Sequence, residues 1–184
     1  MADTILVDRV GDVCVVTLRR PEALNALHDE MTDEILAVIR RHEDDRAVAG
    51  FVVVGYGGKA FCAGADIGRF PSMLGDGAAA AQYARDTSRL LVHLDRCPKP
   101  VVAALNGMAL GGGFELAMRC HALVAQRGAW MQLPEVTLGI VPGIGVTANV
   151  LDRASLETAK AEIHARFGPV DFLINGAGGN HPSA

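Results

Sequence analysis

NGMALGGGFELAMRCHALVAQRGAWMQLPEVTLGIVPGIG, residues Asn106 to Gly145, is the stretch on which the reading of the chain turns. It follows the apolar run Pro100-Val-Val-Ala-Ala-Leu105 and contains the consecutive glycines Gly111, Gly112 and Gly113, with Glu115 two residues on and Glu135 after Pro134. A strand, a glycine turn and then a helix leave unpaired backbone N–H groups at the helix start, where the helix dipole also favours negative charge. Glycine there lets a carbonyl oxygen come close to the backbone. Two carboxylates within the same stretch supply groups that accept and return protons. The pattern therefore points to chemistry that builds negative charge on an oxygen while a proton moves. The competing reading of the glycines is tight helix–strand packing, and acidic residues are favoured in a first helical turn for structural reasons alone.

Outward from that stretch, apolar runs alternate with helical periodicity. Val13 to Leu18 reads as a strand ended by Arg19, Arg20 and Pro21. Asp29 to Glu43 reads as a helix with Met31, Ile35, Val38 and Ile39 on its apolar stripe. Phe51 to Val54 is continuously apolar, which predicts a strand covered on both faces, and Pro100 to Leu105 reads likewise. Ala78 to Arg96 is predicted to be a helix with Tyr83, Leu90, Leu91 and Leu94 towards the core. Phe114 to Cys120 reads as a further helix and Ala122 to Ala125 as a short strand. Strands alternating with helices predict an α/β fold. The loop Ala63-Gly64-Ala65-Asp66 follows another strand and is positioned to offer a second backbone amide, from Ala65, beside the first.

The 184 residues, 50% hydrophobic, suffice for one core, and the net charge of −4 argues against nucleic acid or an anionic membrane as partner. No apolar run reaches the length of a bilayer span, and MADTILVDRV lacks the pattern of a signal peptide, so a cytoplasmic location is expected. Cys14, Cys62, Cys97 and Cys120 lack metal-type spacing and read as small buried residues; no metal site is expected.

Five motifs in order carry a family resemblance: Arg20-Pro-Glu-Ala-Leu-Asn-Ala-Leu27, Lys59-Ala-Phe-Cys-Ala-Gly-Ala-Asp-Ile67, Lys99-Pro-Val-Val-Ala-Ala-Leu-Asn-Gly107, Ala109-Leu-Gly-Gly-Gly-Phe-Glu115 and Leu133-Pro-Glu-Val-Thr-Leu-Gly-Ile-Val-Pro-Gly143. Over residues 10–145 the chain resembles the crotonase (enoyl-CoA hydratase/isomerase) superfamily. The resemblance implies a ββα spiral core and a lyase of fatty-acid β-oxidation that adds water across the 2,3 double bond of a 2-enoyl-CoA. Enoyl-CoA isomerisation, another crotonase-type reaction and a non-catalytic acyl-CoA-binding scaffold are the alternatives. By position, Ala65 and Gly112 match the two oxyanion-hole amides, and Glu115 and Glu135 match the acid/base glutamates. Ala23 and Leu24 match the pantetheine side of the CoA site, and Ala63, Ala65, Asp66, Ile67 and Gly68, with Gly112, match the rest of it. Coenzyme A enters as part of the substrate, with no separate cofactor. Trp130 and Met131 leave the acyl chain length open, and the loop from Gly68 to Gly77 is expected to wall the acyl pocket.

Beyond Gly145 the family pattern is no longer legible. The C-terminal helices on which the family's homotrimers rest are not read here, so the expected core, residues 1–147, stands truncated. Residues 148–184 read as a separate βαβ-like tail: a helix over Ser155 to Phe167 with Leu156, Ala159, Ile163 and Phe167 on one face, the strand Val170 to Ile174 and the turn Asn175-Gly-Ala-Gly-Gly179. That tail resembles an internal fragment of a short-chain dehydrogenase/reductase, which makes a chimera joined near residues 145–148 the expectation. With neither a Thr-Gly-x-x-x-Gly-x-Gly turn nor a Tyr-x-x-x-Lys pair, no NAD(P) is expected.

Overall fold

The computed structural model describes residues 4–66, 68, 71 and 76–135, together with positions 157, 161 and 165. The chain divides into two compact units, Met1–Gln132 and Leu133–Ala184, so the expected boundary at 147 falls within the second.

In the first unit, a hairpin of β1 (Ile5–Val10) and β2 (Val13–Leu18) turns at Gly11, whose φ of +62° suits glycine. Parallel to β2 run β3 (Gly50–Gly55), β5 (Val101–Leu105) and β7 (Ala122–Ala125), giving a five-stranded sheet in the order β1-β2-β3-β5-β7. A second, smaller sheet of three parallel strands is built from β4 (Ala60–Cys62), β6 (Met108–Leu110) and β8 (Met131–Gln132), in the order β4-β6-β8. Each strand of the small sheet follows directly on one of the large sheet. The chain thus climbs in turns of two strands, and a helix completes the turn: α2 (Gly77–Leu94) after β4, and α3 (Gly112–Arg119) after β6. The helix α1 (Asp29–His42) follows the N-terminal hairpin and packs against α2. This is the α/β fold that the alternation of apolar runs and helices predicted.

The corners between the two sheets are too tight for side chains. A Cβ on Gly55 would stand 2.2 Å from the Ala60 carbonyl oxygen, and one on Gly107 2.5 Å from that of Lys59. Asn106 seals the corner: its amide oxygen accepts from Gly55 N–H at 3.0 Å, and its amide nitrogen donates to the carbonyls of Gly55 and Gly57. The α1 core face carries Met31, Ile35 and Ile39 as expected, with Leu36 joining them and Val38 only half-buried. In α2, Leu90, Leu91 and Leu94 are buried, whereas Tyr83 is half-buried.

Two expectations need correction. Neither β3 nor β5 is covered on both faces: Phe51, Val53, Val101, Ala103 and Leu105 are buried, but the alternate residues between them are half-exposed. Successive side chains leave a strand on opposite faces, and only one face of this sheet is fully closed. The helix after the triple glycine begins at Gly112 rather than Phe114, which takes two of the glycines into its first turn. Cys14, Cys62 and Cys97 are buried free thiols, and Cys120 is partly exposed.

Of the second unit, Glu157, Ala161 and Ala165 are helical and exposed. The other residues of the helix expected over 155–167, including its inner face at Leu156, Ala159, Ile163 and Phe167, lie outside the described residues, as do the strand Val170 to Ile174 and the turn Asn175 to Gly179.

Candidate active site

The strands β4 and β6 lie side by side and parallel, pairing Ala60 with Met108 and Cys62 with Ala109. Parallel neighbours release the chain at the same end of the sheet, which is where open α/β sheets place their ligands. The segment Ala63–Asp66 leaves β4 there, and the turn at Gly111 leaves β6 beside it. Two motifs more than forty residues apart in the chain are brought together by this pairing.

The three glycines of that turn serve different purposes. Gly111 caps α3 at φ +46°, ψ −126°, a conformation essentially closed to residues with a Cβ. A Cβ on Gly113 would lie 2.5 Å from the Cys62 carbonyl oxygen and 2.6 Å from its Sγ, so this glycine lets α3 seat directly on β4. Burial pushes the Cys62 thiol beneath it up to about 12, which keeps it protonated and chemically inert. Gly112 faces the other way: a Cβ here would stand 3.3 Å from the backbone nitrogen of Ala65. The backbones at Ala65 and Gly112 are therefore near neighbours.

Both peptide N–H groups are available. Gly112 is the first residue of α3, and the first turn of a helix has no carbonyl for its own amides; the earliest bond in this turn runs from Glu115 N–H to Gly111 O at 2.9 Å. Ala65 sits in an isolated parallel bridge with Leu27. There Leu27 N–H donates to Gly64 O at 2.8 Å and Asp66 N–H donates to Leu27 O at 2.7 Å. In a parallel bridge the residue so straddled turns its own amide away from its partner. Among the described residues, neither the Ala65 nor the Gly112 amide donates to a protein acceptor. Two adjacent free amides, one at the positive end of a helix, can hold an anionic oxygen.

Around this pair, Glu115 lies in the first turn of α3 and is 5% exposed, a carboxyl group buried one turn from the Gly112 amide. In the other unit, Glu135 comes three residues after the end of β8 and is also buried. Ala63 N–H donates to Leu24 O at 3.0 Å, so both Ala63 and Asp66 have their N–H groups committed within the fold and only their carbonyls left for a ligand. Leu24, with φ +51°, projects a 37% exposed side chain beside half-buried Ala23. Gly68 is exposed and donates its N–H to Asp66 Oδ1 at 3.0 Å; Ile67 and most of the loop from Gly68 to Gly77 lie outside the described residues. Trp130 and Met131 are exposed at β8.

Two residues tie the site loops together, and a third caps the helix that follows, none of them singled out for such a role in the sequence. Asn25 is buried at φ +59°: its side-chain oxygen accepts from Arg20 N–H at 3.1 Å, and its nitrogen donates to Tyr56 O at 3.1 Å and Ala60 O at 2.9 Å. Arg20 bonds Ala26 O at 2.8 Å and Asp66 Oδ2 at 2.9 Å. The Gly68 N–H and the Arg20 guanidinium hold the Asp66 carboxyl below its usual range. His28 caps α1 through Nδ1, which accepts from Met31 N–H at 3.3 Å. A polar residue within the apolar run Ala-Leu-Asn-Ala-Leu was the available signal for Asn25; the Arg20–Asp66 pair, 46 residues apart, had none.

A model of the family described as enoyl-CoA hydratase/isomerase matches residues 8–164. The chain is 37% identical over 158 residues to a short-chain-enoyl-CoA hydratase of Clostridium acetobutylicum, covering 86% of this chain and 60% of that protein. It is 38% identical over 191 residues to a probable enoyl-CoA hydratase of Mycobacterium tuberculosis, covering 95% and 72%. Among solved structures, an enoyl-CoA hydratase of Bacillus anthracis superposes with a TM-score of 0.72 at 28% identity, over 94% of this chain and 70% of that one. The chain spans 60%, 54% and 61% of the length of three of its curated relatives. The change of family expected near residues 145–148 finds no support, because the match to this one family continues through residue 164. The dehydrogenase-like reading rested on a short Asn-x-Ala-Gly pattern, and glycine-rich turns of that kind recur in unrelated folds.

Proposed function

The chain belongs to the enoyl-CoA hydratase/isomerase family, and from that premise we propose that it binds a 2-enoyl-CoA and adds water across the 2,3 double bond. The observation that carries this reading is the adjacency of the free Ala65 and Gly112 amides, with the buried Glu115 carboxyl one helical turn away. In the proposed reaction both amides hold the thioester oxygen, which becomes an enolate oxygen when a nucleophile adds at C3. They are worth most at that moment, because charge develops there only in the transition state.

Water must lose one proton as its oxygen bonds C3, and C2 must gain one. Glu115 and Glu135 are assigned these tasks: Glu115 orients and deprotonates the water, and Glu135 exchanges the proton at C2. The CoA portion runs past Ala23 and Leu24 and along Ala63, Ala65, Asp66, Ile67 and Gly68. The carbonyls of Ala63 and Asp66 can accept from an adenine amino group, since their own N–H groups are already committed. The reaction requires no dinucleotide and no metal.

The deciding experiment follows the loss of enoyl-thioester absorbance of crotonyl-CoA with the wild-type chain and with the Glu115→Gln and Glu135→Gln variants. Hydration by the wild type that drops at least about 100-fold in each variant is expected for acid/base groups. Undiminished turnover in both would refute the two-glutamate mechanism. Because the chain covers a little over half of several relatives, one further outcome has its own meaning. Saturable binding of CoA without hydration or double-bond migration would identify an acyl-CoA-binding segment instead.

A further inference from the structure

We infer that Arg20 is a positioning residue for the oxyanion site, acting by bracing both arms of the bridge that aims the Ala65 amide. The inference rests on the oxyanion reading above and concerns a residue two steps removed from the ligand. The Leu27–Ala65 bridge is one residue pair long, held by two main-chain bonds, with one more from Ala63 N–H to Leu24 O. So short a ladder has little resistance to slipping on its own. Arg20 spans it: one guanidinium nitrogen donates to Ala26 O, the residue before Leu27, and the other to Asp66 Oδ2, the residue after Ala65.

The brace is fixed at every end. The Arg20 side chain is only 17% exposed, and its Nε lies 3.8 Å from Glu22 Oε1. Its backbone is anchored in the turn closed by Asn25, through Arg20 N–H to Asn25 Oδ1 and Asn25 N–H to Arg20 O. The second oxygen of Asp66 accepts from Gly68 N–H, which opposes rotation of the carboxylate away from the guanidinium. A planar two-nitrogen fork is needed to serve two acceptors at once. A lysine ammonium on a flexible stem keeps the charge but loses that fixed geometry. Oxyanion donors are productive only within about 2.7–3.1 Å of the oxygen, and small displacements are costly in rate. The strap therefore bears on polarisation of the thioester rather than on affinity for CoA.

The test compares the wild-type chain with Arg20→Lys, Arg20→Met and Asp66→Asn, using Arg89→Met as a control, since Arg89 pairs with Asp33 on the exposed helix surfaces. Each protein is mixed with 4-dimethylaminocinnamoyl-CoA, whose absorption moves to longer wavelength when its carbonyl is polarised by hydrogen bonding. CoA affinity and Tm are measured in parallel, and kcat and KM with crotonyl-CoA. The wild type and the control should show the full red shift. Arg20→Lys should remain folded and bind CoA within threefold of wild type. It should nonetheless lose more than half of the shift and at least about tenfold in kcat, with KM little changed. Asp66→Asn should lose red shift and kcat to the same extent, and the Arg20→Lys/Asp66→Asn double variant should be no worse in either than the single ones.

A full red shift and unchanged kcat in Arg20→Lys would overturn the inference even if Arg20→Met failed to fold. Loss of CoA affinity and stability in equal proportion to kcat would also overturn it, by showing a purely structural strap. A wild-type chain that binds CoA but shifts no spectrum would instead overturn the oxyanion reading itself, and the Arg20 role with it.

Discussion

Replacing Gly112 by alanine separates the chemistry of the glycine turn from its packing. The added methyl carbon would sit 3.3 Å from Ala65 N and 3.8 Å from Ala65 Cβ. An acceptor for the Ala65 amide has to stand at about 2.9 Å from that nitrogen, so the methyl group competes for the same space. The backbone of Gly112 itself is no obstacle, because it is helical and alanine is the better helix former. A contact of this closeness is relieved by a shift of a few tenths of an ångström. Stability should therefore change by no more than about 1 kcal/mol, which for a chain of this size is a Tm shift of about 2–4 °C. The loss of one oxyanion donor is worth about 2.7–4 kcal/mol in the transition state, or about 10²- to 10³-fold in kcat. The neighbouring Gly113→Ala should show the opposite pattern. Its methyl would meet Cys62 atoms at 2.5–2.6 Å, backbone included, so α3 must move off β4 at a cost of about 1–3 kcal/mol. The assay pairs initial rates of crotonyl-CoA hydration with thermal unfolding followed by circular dichroism. A folded Gly112→Ala protein that hydrates crotonyl-CoA within threefold of the wild-type rate would refute the reasoning. So would one as destabilised as Gly113→Ala.

Asn25→Ala should destabilise the chain by about 3–5 kcal/mol in urea unfolding. It strands the buried Ala60 carbonyl and leaves alanine at φ +59°, and a loss under about 1 kcal/mol would contradict the hub role. His28 gives a pH dependence whose sign is fixed by its cap. Burial first, then the Arg20 charge, lowers its pKa in the fold, against the opposing pull of Glu30, Asp66 and Glu34. The unfolded chain then binds the proton more readily, so the cap's contribution is complete above pH 6.5 and is lost as pH falls through the lower folded value. His28→Asn keeps a capping oxygen that does not titrate, and should lose less stability than wild type between pH 7.5 and 5. Equal losses in the two proteins would show that His28 does not cap through its neutral ring.

Residue order alone revealed the alternation of apolar runs and helices, the glycine turn at a helix start and both carboxylates. Each of these is a local pattern: Val13 to Leu18 and Asp29 to His42 are long enough for their periodicity to register. The small sheet escaped, because β4, β6 and β8 are two or three residues long, too short to show any period. β1 escaped for another reason: it lies at the sheet edge with only Ile5 buried and so has no alternation to read. Tertiary structure alone decided that β4 and β6 run parallel as neighbours, and this sets the Ala65 amide beside Gly112. It alone decided, too, that Arg20 reaches Asp66 and that Leu27 turns the Ala65 amide outward. The physical reason is the same in each case. A hydrogen bond or close backbone approach between residues some forty positions apart depends on strand order and register, which local residue preferences do not encode.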